Sequence, residues 1–151
     1  MIGLDTSVLV ALAIREHPLH AAAWAAFQEE IVGRDAAMAL SPQVLIEFAY
    51  VVTDPRRFER PLAMADALGI AERWWGAREC RQVSAGPAAV AIFLDWMTLY
   101  GLGRNRLLDT MLAATYRAAG VERLATTDWR DFMVFGAFEI VRIEGATDGG
   151  G

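Results

Sequence analysis

The chain has 151 residues, 55% of them hydrophobic and 22% charged, with a formal net charge of −5. This length fits one domain, and the composition excludes disorder for all but the last few residues. All fourteen basic residues are arginine and lysine is absent, which removes P-loop nucleotidases, two-component receivers and haloacid-dehalogenase-type phosphatases, each of which sets a lysine on its phosphate.

The opening Met1-Ile2-Gly3-Leu4-Asp5 is a short apolar run that stops at a carboxylate. Thr6 and Ser7 follow as candidate caps for a helix through Leu12. A second helix is predicted from Pro18 to Val32, ended by Gly33, and then a strand from Ala36 to Leu40. Ser41-Pro42 opens a helix running to Thr53, where Asp54-Pro55 stops it. A basic loop carries Arg56, Arg57 and Arg60, and Pro61 starts a helix through the adjacent Trp74 and Trp75. Glu79 to Ser84 reads as a strand, Gly86-Pro87 to Tyr100 as a long helix, and Arg106 to Ala119 as another, closed by Gly120. Val121 to Thr127 is a strand, Asp128 to Phe135 a short helix and Phe138 to Ile143 a last strand. Alternating strands and helices predict an α/β fold with a mostly parallel central sheet and helices on both faces, a three-layer α/β/α sandwich. The domain should span residues 1–144, with 145–151 as a disordered tail.

No apolar run reaches the roughly 18–20 residues of a membrane span, and no basic segment precedes Asp5, so a soluble, unsecreted, cytoplasmic protein is expected. The single cysteine, Cys80, agrees with a reducing compartment and reads as filler. His17 and His20 stand one turn apart without a third histidine and read as surface residues. Trp74 and Trp75 cannot both face one core; either both are half-buried or one lies at an interface.

In an open α/β sheet, ligands collect beyond the carboxyl ends of the strands, where strand order reverses. Asp5 and Asp128 fall at such ends, although each could merely cap the helix that follows. Glu47 lies between Val44 and Val51 on an apolar helix stripe, where a carboxylate needs a cation or an arginine partner. Asp109 has Leu112, Ala113 and Tyr116 beside it, and its alternative role is first-turn capping. A gathered set of Asp and Glu would suit Mg²⁺, and cations there would offset the net negative charge that otherwise argues against a nucleic-acid partner.

Four segments in sequence carry a resemblance: Gly3-Leu4-Asp5-Thr6-Ser7-Val8-Leu9, Leu45-Ile46-Glu47-Phe48, the stretch from Gly103 to Thr115 that contains Leu108-Asp109-Thr110, and Thr126-Thr127-Asp128-Trp129-Arg130-Asp131-Phe132. On these the chain resembles the VapC-type toxins, a branch of the PIN-domain nucleases, over nearly its whole length. The resemblance implies Mg²⁺, or Mn²⁺ as a substitute, at a carboxylate cluster that cuts RNA internally. It implies Asp5, Glu47, Asp109 and Asp128 as the catalytic metal ligands, with Thr6 or Ser7 orienting Asp5 or a water. It also implies a homodimer held inactive by a small antitoxin. Asp131 is assigned a supporting role, reaching back to the cap of the helix that Asp128 begins. Arg56, Arg57, Arg104 and Arg106 are candidate RNA phosphate contacts, as is Arg60. The competing functions are an RNA-processing nuclease of the same fold without an antitoxin, and a PIN-fold binding module without activity.

Overall fold

The computed structural model describes residues 1–145. The elements follow in the order β1 (Ile2–Leu4), α1 (Thr6–Ala13), α2 (His20–Glu30), β2 (Met38–Leu40), α3 (Pro42–Val52), α4 (Met64–Trp75), β3 (Cys80–Gln82), α5 (Pro87–Leu99), α6 (Leu107–Ala118), β4 (Arg123–Thr126), α7 (Trp129–Met133) and β5 (Glu139–Arg142). A single 3₁₀ turn, Arg104–Arg106, leads into α6. Of the tail read as disordered, all but Gly145 lies outside the described residues.

The five strands form one sheet in the order β3-β2-β1-β4-β5, and each described pairing is parallel. Strand order therefore reverses between β1 and β4. Right-handed crossovers put the helices of the first two connections on one face and those of the last two on the other. The helix contacts agree: α1 packs on α2 and α3, and α3 on α4, while α6 packs on α5 and α7. The result is the three-layer sandwich expected from the alternation, with a sheet that is wholly parallel among the described residues.

Observed elements are shorter than their hydrophobic runs. Strand β1 pairs with β2 only through Ile2 with Met38 and Gly3 with Ala39, and with β4 only from Ile2 to Leu4, so the ladder ends where the strand does. Helix α4 starts at Met64 rather than Pro61 because the Leu62 N–H donates to the Val52 carbonyl at 2.9 Å and keeps this stretch against the end of α3.

Helix α6 enters the core against β1 and β2 through Tyr116. Tyr116 is fully buried, and its hydroxyl lies 2.6 Å from the Leu4 carbonyl oxygen and 3.1 Å from that of Ala39. Its ring lies directly on Gly3, where an added Cβ would stand 2.7 Å from Cδ2 and 2.8 Å from Cε2. Glycine is required at this position by that approach, whatever its backbone angles. Because Tyr116 is two turns from Asp109 on the same helix, the contact also fixes how α6 presents Asp109 to the end of the sheet.

Candidate active site

Asp5 leaves β1 in extended conformation, and its N–H donates to the Ala125 carbonyl at 3.0 Å, so its backbone is stitched to β4 beside the reversal point. Its side chain does not cap α1. Instead Oδ2 accepts from Ser7 Oγ at 2.7 Å and from Thr126 Oγ1 at 2.8 Å. With Asp5 only 6% exposed, burial raises its carboxyl above the usual range. The Ser7 and Thr126 hydroxyls oppose that rise, and the charge of Asp128 adds to it. Thr126 also accepts the Asp128 N–H at 3.0 Å, and Ser7 Oγ accepts the Thr127 N–H at 3.1 Å. The two hydroxyls thus tie both strand-end acids into one network. Neither Thr6 nor Ser7 caps a helix, because their hydroxyls go to the carboxylates.

Two helices close the other side. Glu47 has no arginine partner among the described ion pairs; Thr6 Oγ1 donates to its Oε2 at 3.0 Å and Gln43 Nε2 to its Oε1 at 2.8 Å. The same Gln43 amide donates to the Leu108 carbonyl at 2.8 Å, joining α3 to α6 one residue before Asp109. Asp109 lies in the first turn of α6, whose cap residue, Arg106, makes no side-chain cap bond. Its carboxyl is pushed up to about 6, chiefly by burial and then by the negative charges of Asp5 and Asp131, with Arg106 opposing.

Asp5, Glu47, Asp109 and Asp128 all line one open cleft of about 500 Å³, together with Thr6, Ser7 and Arg57. Val10, Val51 and Phe58 supply apolar wall. The donors are hard oxygens, and burial together with the neighbouring negative charges raises the carboxyls of Asp5 and Asp109, a rise that positive charge beside them would oppose. Among the described residues no three His, Cys, Asp or Glu side chains stand close enough to ligate one ion together as positioned. Mg²⁺ is compatible with that spacing, since it usually keeps several waters and meets protein through one or two carboxylates. The donor set fits Mg²⁺ or Mn²⁺ and lacks the thiolate and multiple imidazoles of softer sites.

Several residues stand differently from their sequence reading. Asp131 does not reach back to the Asp128 N–H, which Thr126 occupies, but it is close enough to raise the Asp109 carboxyl. Arg106 is turned inward: its guanidinium donates to the Asp131 carbonyl, so it ties α7 to the start of α6 and is committed there rather than offered to a phosphate. Arg104 is exposed on the 3₁₀ turn and Arg60 is exposed in the loop before α4. Arg56 and Arg57 both pair with Asp54, at 3.3 and 3.6 Å, and of the two only Arg57 lines the cleft. His17 is half-buried and lines the cleft, with Nδ1 accepting the Leu19 N–H at 3.1 Å; burial and the neighbouring His20 lower its pKa. Nothing in its spacing signals this, because the turn before α2 reaches the cleft only through tertiary packing. His20 is also half-buried, with Nδ1 donating to the Ala11 carbonyl at 2.8 Å. Both tryptophans are half-buried: Trp74 packs edge-on against Phe48, while Trp75 borders an exposed apolar groove. Cys80 is half-buried on β3.

A parallel sheet whose reversal point carries acids from two strand ends, faced by acids from two helices, is the arrangement of the PIN domain, and the chain belongs to that family, whose sequence model matches residues 2–135. Within it the chain groups with the VapC proteins. It is 32% identical over 136 residues to Ribonuclease VapC24 of Mycobacterium tuberculosis, covering 90% of this chain and 92% of that one. Its fold is similar to that of Mycobacterium tuberculosis VapC20, described as a sarcin-ricin loop cleaving toxin, with a TM-score of 0.71, 18% identity and coverage of 94% and 99%. It is also similar to a chain of VapBC2 from Rickettsia felis, solved bound to a promoter DNA fragment, with a TM-score of 0.66, 13% identity and coverage of 95% and 100%.

Proposed function

We propose that this chain is a divalent-metal-dependent endoribonuclease and the toxin of a toxin–antitoxin pair, acting in the cytoplasm. The observation that carries the reading is the convergence of Asp5, Glu47, Asp109 and Asp128 on one cleft at the reversal point of a parallel sheet. These four residues would hold Mg²⁺ or Mn²⁺. When bound, the ion neutralises charge developing on the phosphodiester during hydrolysis. Around it, Ser7 and Thr126 fix Asp5, while Thr6 and Gln43 fix Glu47, each through a bond to a single carboxylate oxygen. Arg57 offers positive charge at the wall of the cleft, and Val10, Val51 and Phe58 give it an apolar side.

The toxin reading is favoured over a free-standing processing enzyme, and over an inactive module, by two features. The acid set is complete, and α3 and α4 expose an apolar groove lined by Leu45, Ile46, Tyr50, Met64, Leu68 and Trp75. A contiguous apolar surface of this kind marks an interaction site, here for the antitoxin and for the second copy of a homodimer.

Cleavage of structured and single-stranded RNAs with Mg²⁺, with Mn²⁺ and with chelator tests the activity; equal cutting under chelation would sink it. Leu68→Glu tests the partner surface. It should abolish binding of a co-encoded small protein and leave RNA cleavage intact.

A further inference from the structure

Trp129 follows Asp128 directly, and two guanidinium groups lie over its indole: that of Arg142 at 3.7 Å from the ring centroid and that of Arg130 at 4.4 Å. Arg142 is the last residue of β5 and is in register with Thr126, so it stands at the same carboxyl end of the sheet as Asp5 and Asp128. Both arginines are exposed. Neither has a carboxylate partner among the described ion pairs, whereas Arg56, Arg57, Arg78 and Arg123 are each paired with an acid. Neither spends a side-chain N–H on a hydrogen bond among the described residues.

Stacking on a ring uses the face of a guanidinium and leaves its N–H edge free, the edge that matches phosphate oxygens. Two like charges gathered over one ring repel each other until an anion joins them. Thr127, Asp128, Trp129, Arg130 and Asp131 line a second hollow of about 230 Å³, which shares Thr127 and Asp128 with the acid cleft. Among the described residues Arg130 is the one cation of that lining, facing Asp128 and Asp131, and Arg142 adds a second from over the Trp129 ring, so a strand whose reacting phosphate sits among the acids would meet this arginine pair next.

We propose that Arg142 and Arg130, held over Trp129, form a phosphate-binding subsite for the RNA strand beside Asp128. The inference rests on the ribonuclease reading and extends it by saying where the flanking backbone runs. The subsite also gives a chain of net charge −5 without lysine two exposed arginines, in no described ion pair, beside its acids.

The test is fluorescence anisotropy of a labelled single-stranded RNA of about ten nucleotides, in chelator, titrated at several salt concentrations. For a single strand, each phosphate left without its arginine should reduce the slope of log affinity against log salt by about 0.7, so the double variant Arg130→Gln/Arg142→Gln should show a slope smaller by about 1.4. Trp129→Leu keeps both charges and removes the platform, and should weaken binding with a smaller change in slope. Arg117→Gln, in the last turn of α6 at the opposite end of the sheet, should leave the slope as it is. In Mg²⁺ the double variant should raise KM far more than it lowers kcat. A double variant that binds and cleaves with the wild-type slope and KM overturns the subsite and leaves the ribonuclease reading standing, all the more so if its melting temperature falls, since the stack would then serve only to pin β5 to α7. A wild-type protein that neither binds nor cuts any RNA overturns both.

Discussion

Replacing Gly3 with alanine tests whether the Tyr116 contact positions the site. The new Cβ would stand 2.7 to 3.0 Å from Cδ2, Cε2 and Cγ of the Tyr116 ring, about 0.8 Å inside the closest ordinary carbon contact of about 3.5 Å. The ring cannot slide away freely, because its hydroxyl is held at 2.6 Å from the Leu4 carbonyl, one residue along the same strand. Relief requires displacing α6 and, with it, breaking that bond. Overpacking costs about 1–3 kcal/mol and a broken hydrogen bond about 1 kcal/mol, giving about 2–4 kcal/mol in all. For a domain of this size that corresponds to a fall in melting temperature of roughly 4–16 °C. Urea and thermal unfolding measure it, with the double variant Gly3→Ala/Tyr116→Phe closing a mutant cycle. The double variant should cost less than the sum of the singles, because without its hydroxyl the ring can yield. A Gly3→Ala protein destabilised by less than about 0.5 kcal/mol, or strictly additive effects, would refute the reasoning.

Asp109 titrates near 6 in the fold against an ordinary 3.8; a raised acid stabilises the fold below its unfolded pKa and loses that contribution as pH rises through the folded one. In chelator, the melting temperature of the wild type relative to Asp109→Asn should therefore fall between pH 3.8 and about 6; a difference that does not change with pH would count against the assignment. Asp128→Asn should weaken Mg²⁺ binding, read by calorimetry, and cleavage with it, whereas Asp131→Asn should leave cleavage largely intact; the reverse pattern would exchange their roles. Ser7→Ala frees one bond on Asp5 Oδ2 and should cost about 10–100-fold in metal affinity or activity, as removal of an orienting partner does, with circular dichroism confirming that the fold survives.

What the sequence makes legible here is what local pattern encodes. Asp5 and Asp128 are visible because each ends an apolar run, and Glu47 and Asp109 because each interrupts an apolar helix face; all four meet in the cleft. What local pattern does not encode is pairing across the sheet. The approach of Arg142 to Trp129 depends on the β4–β5 register, and that of His17 on how the turn before α2 packs. Hydroxyl partners are ambiguous for a related reason. Thr6 and Ser7 have the right chemistry and position for helix caps, and only the proximity of two carboxylates redirects them. Arg106 reads as a surface cation because its partner, a backbone carbonyl on α7, leaves no mark in the sequence.

The Gln43 amide has a mechanical consequence. Asp5, at the end of β1, is bonded to β4 twice, by its backbone to Ala125 and by its carboxylate to Thr126, so the sheet side of the cleft is a fixed jaw. The helix side is a sprung one: Glu47 and the turn that carries Asp109 are coupled through one flexible side chain, bonded to Glu47 Oε1 and to the Leu108 carbonyl. The two acids of the helix side are therefore linked across α3 and α6 by a single amide, with no strand in the link.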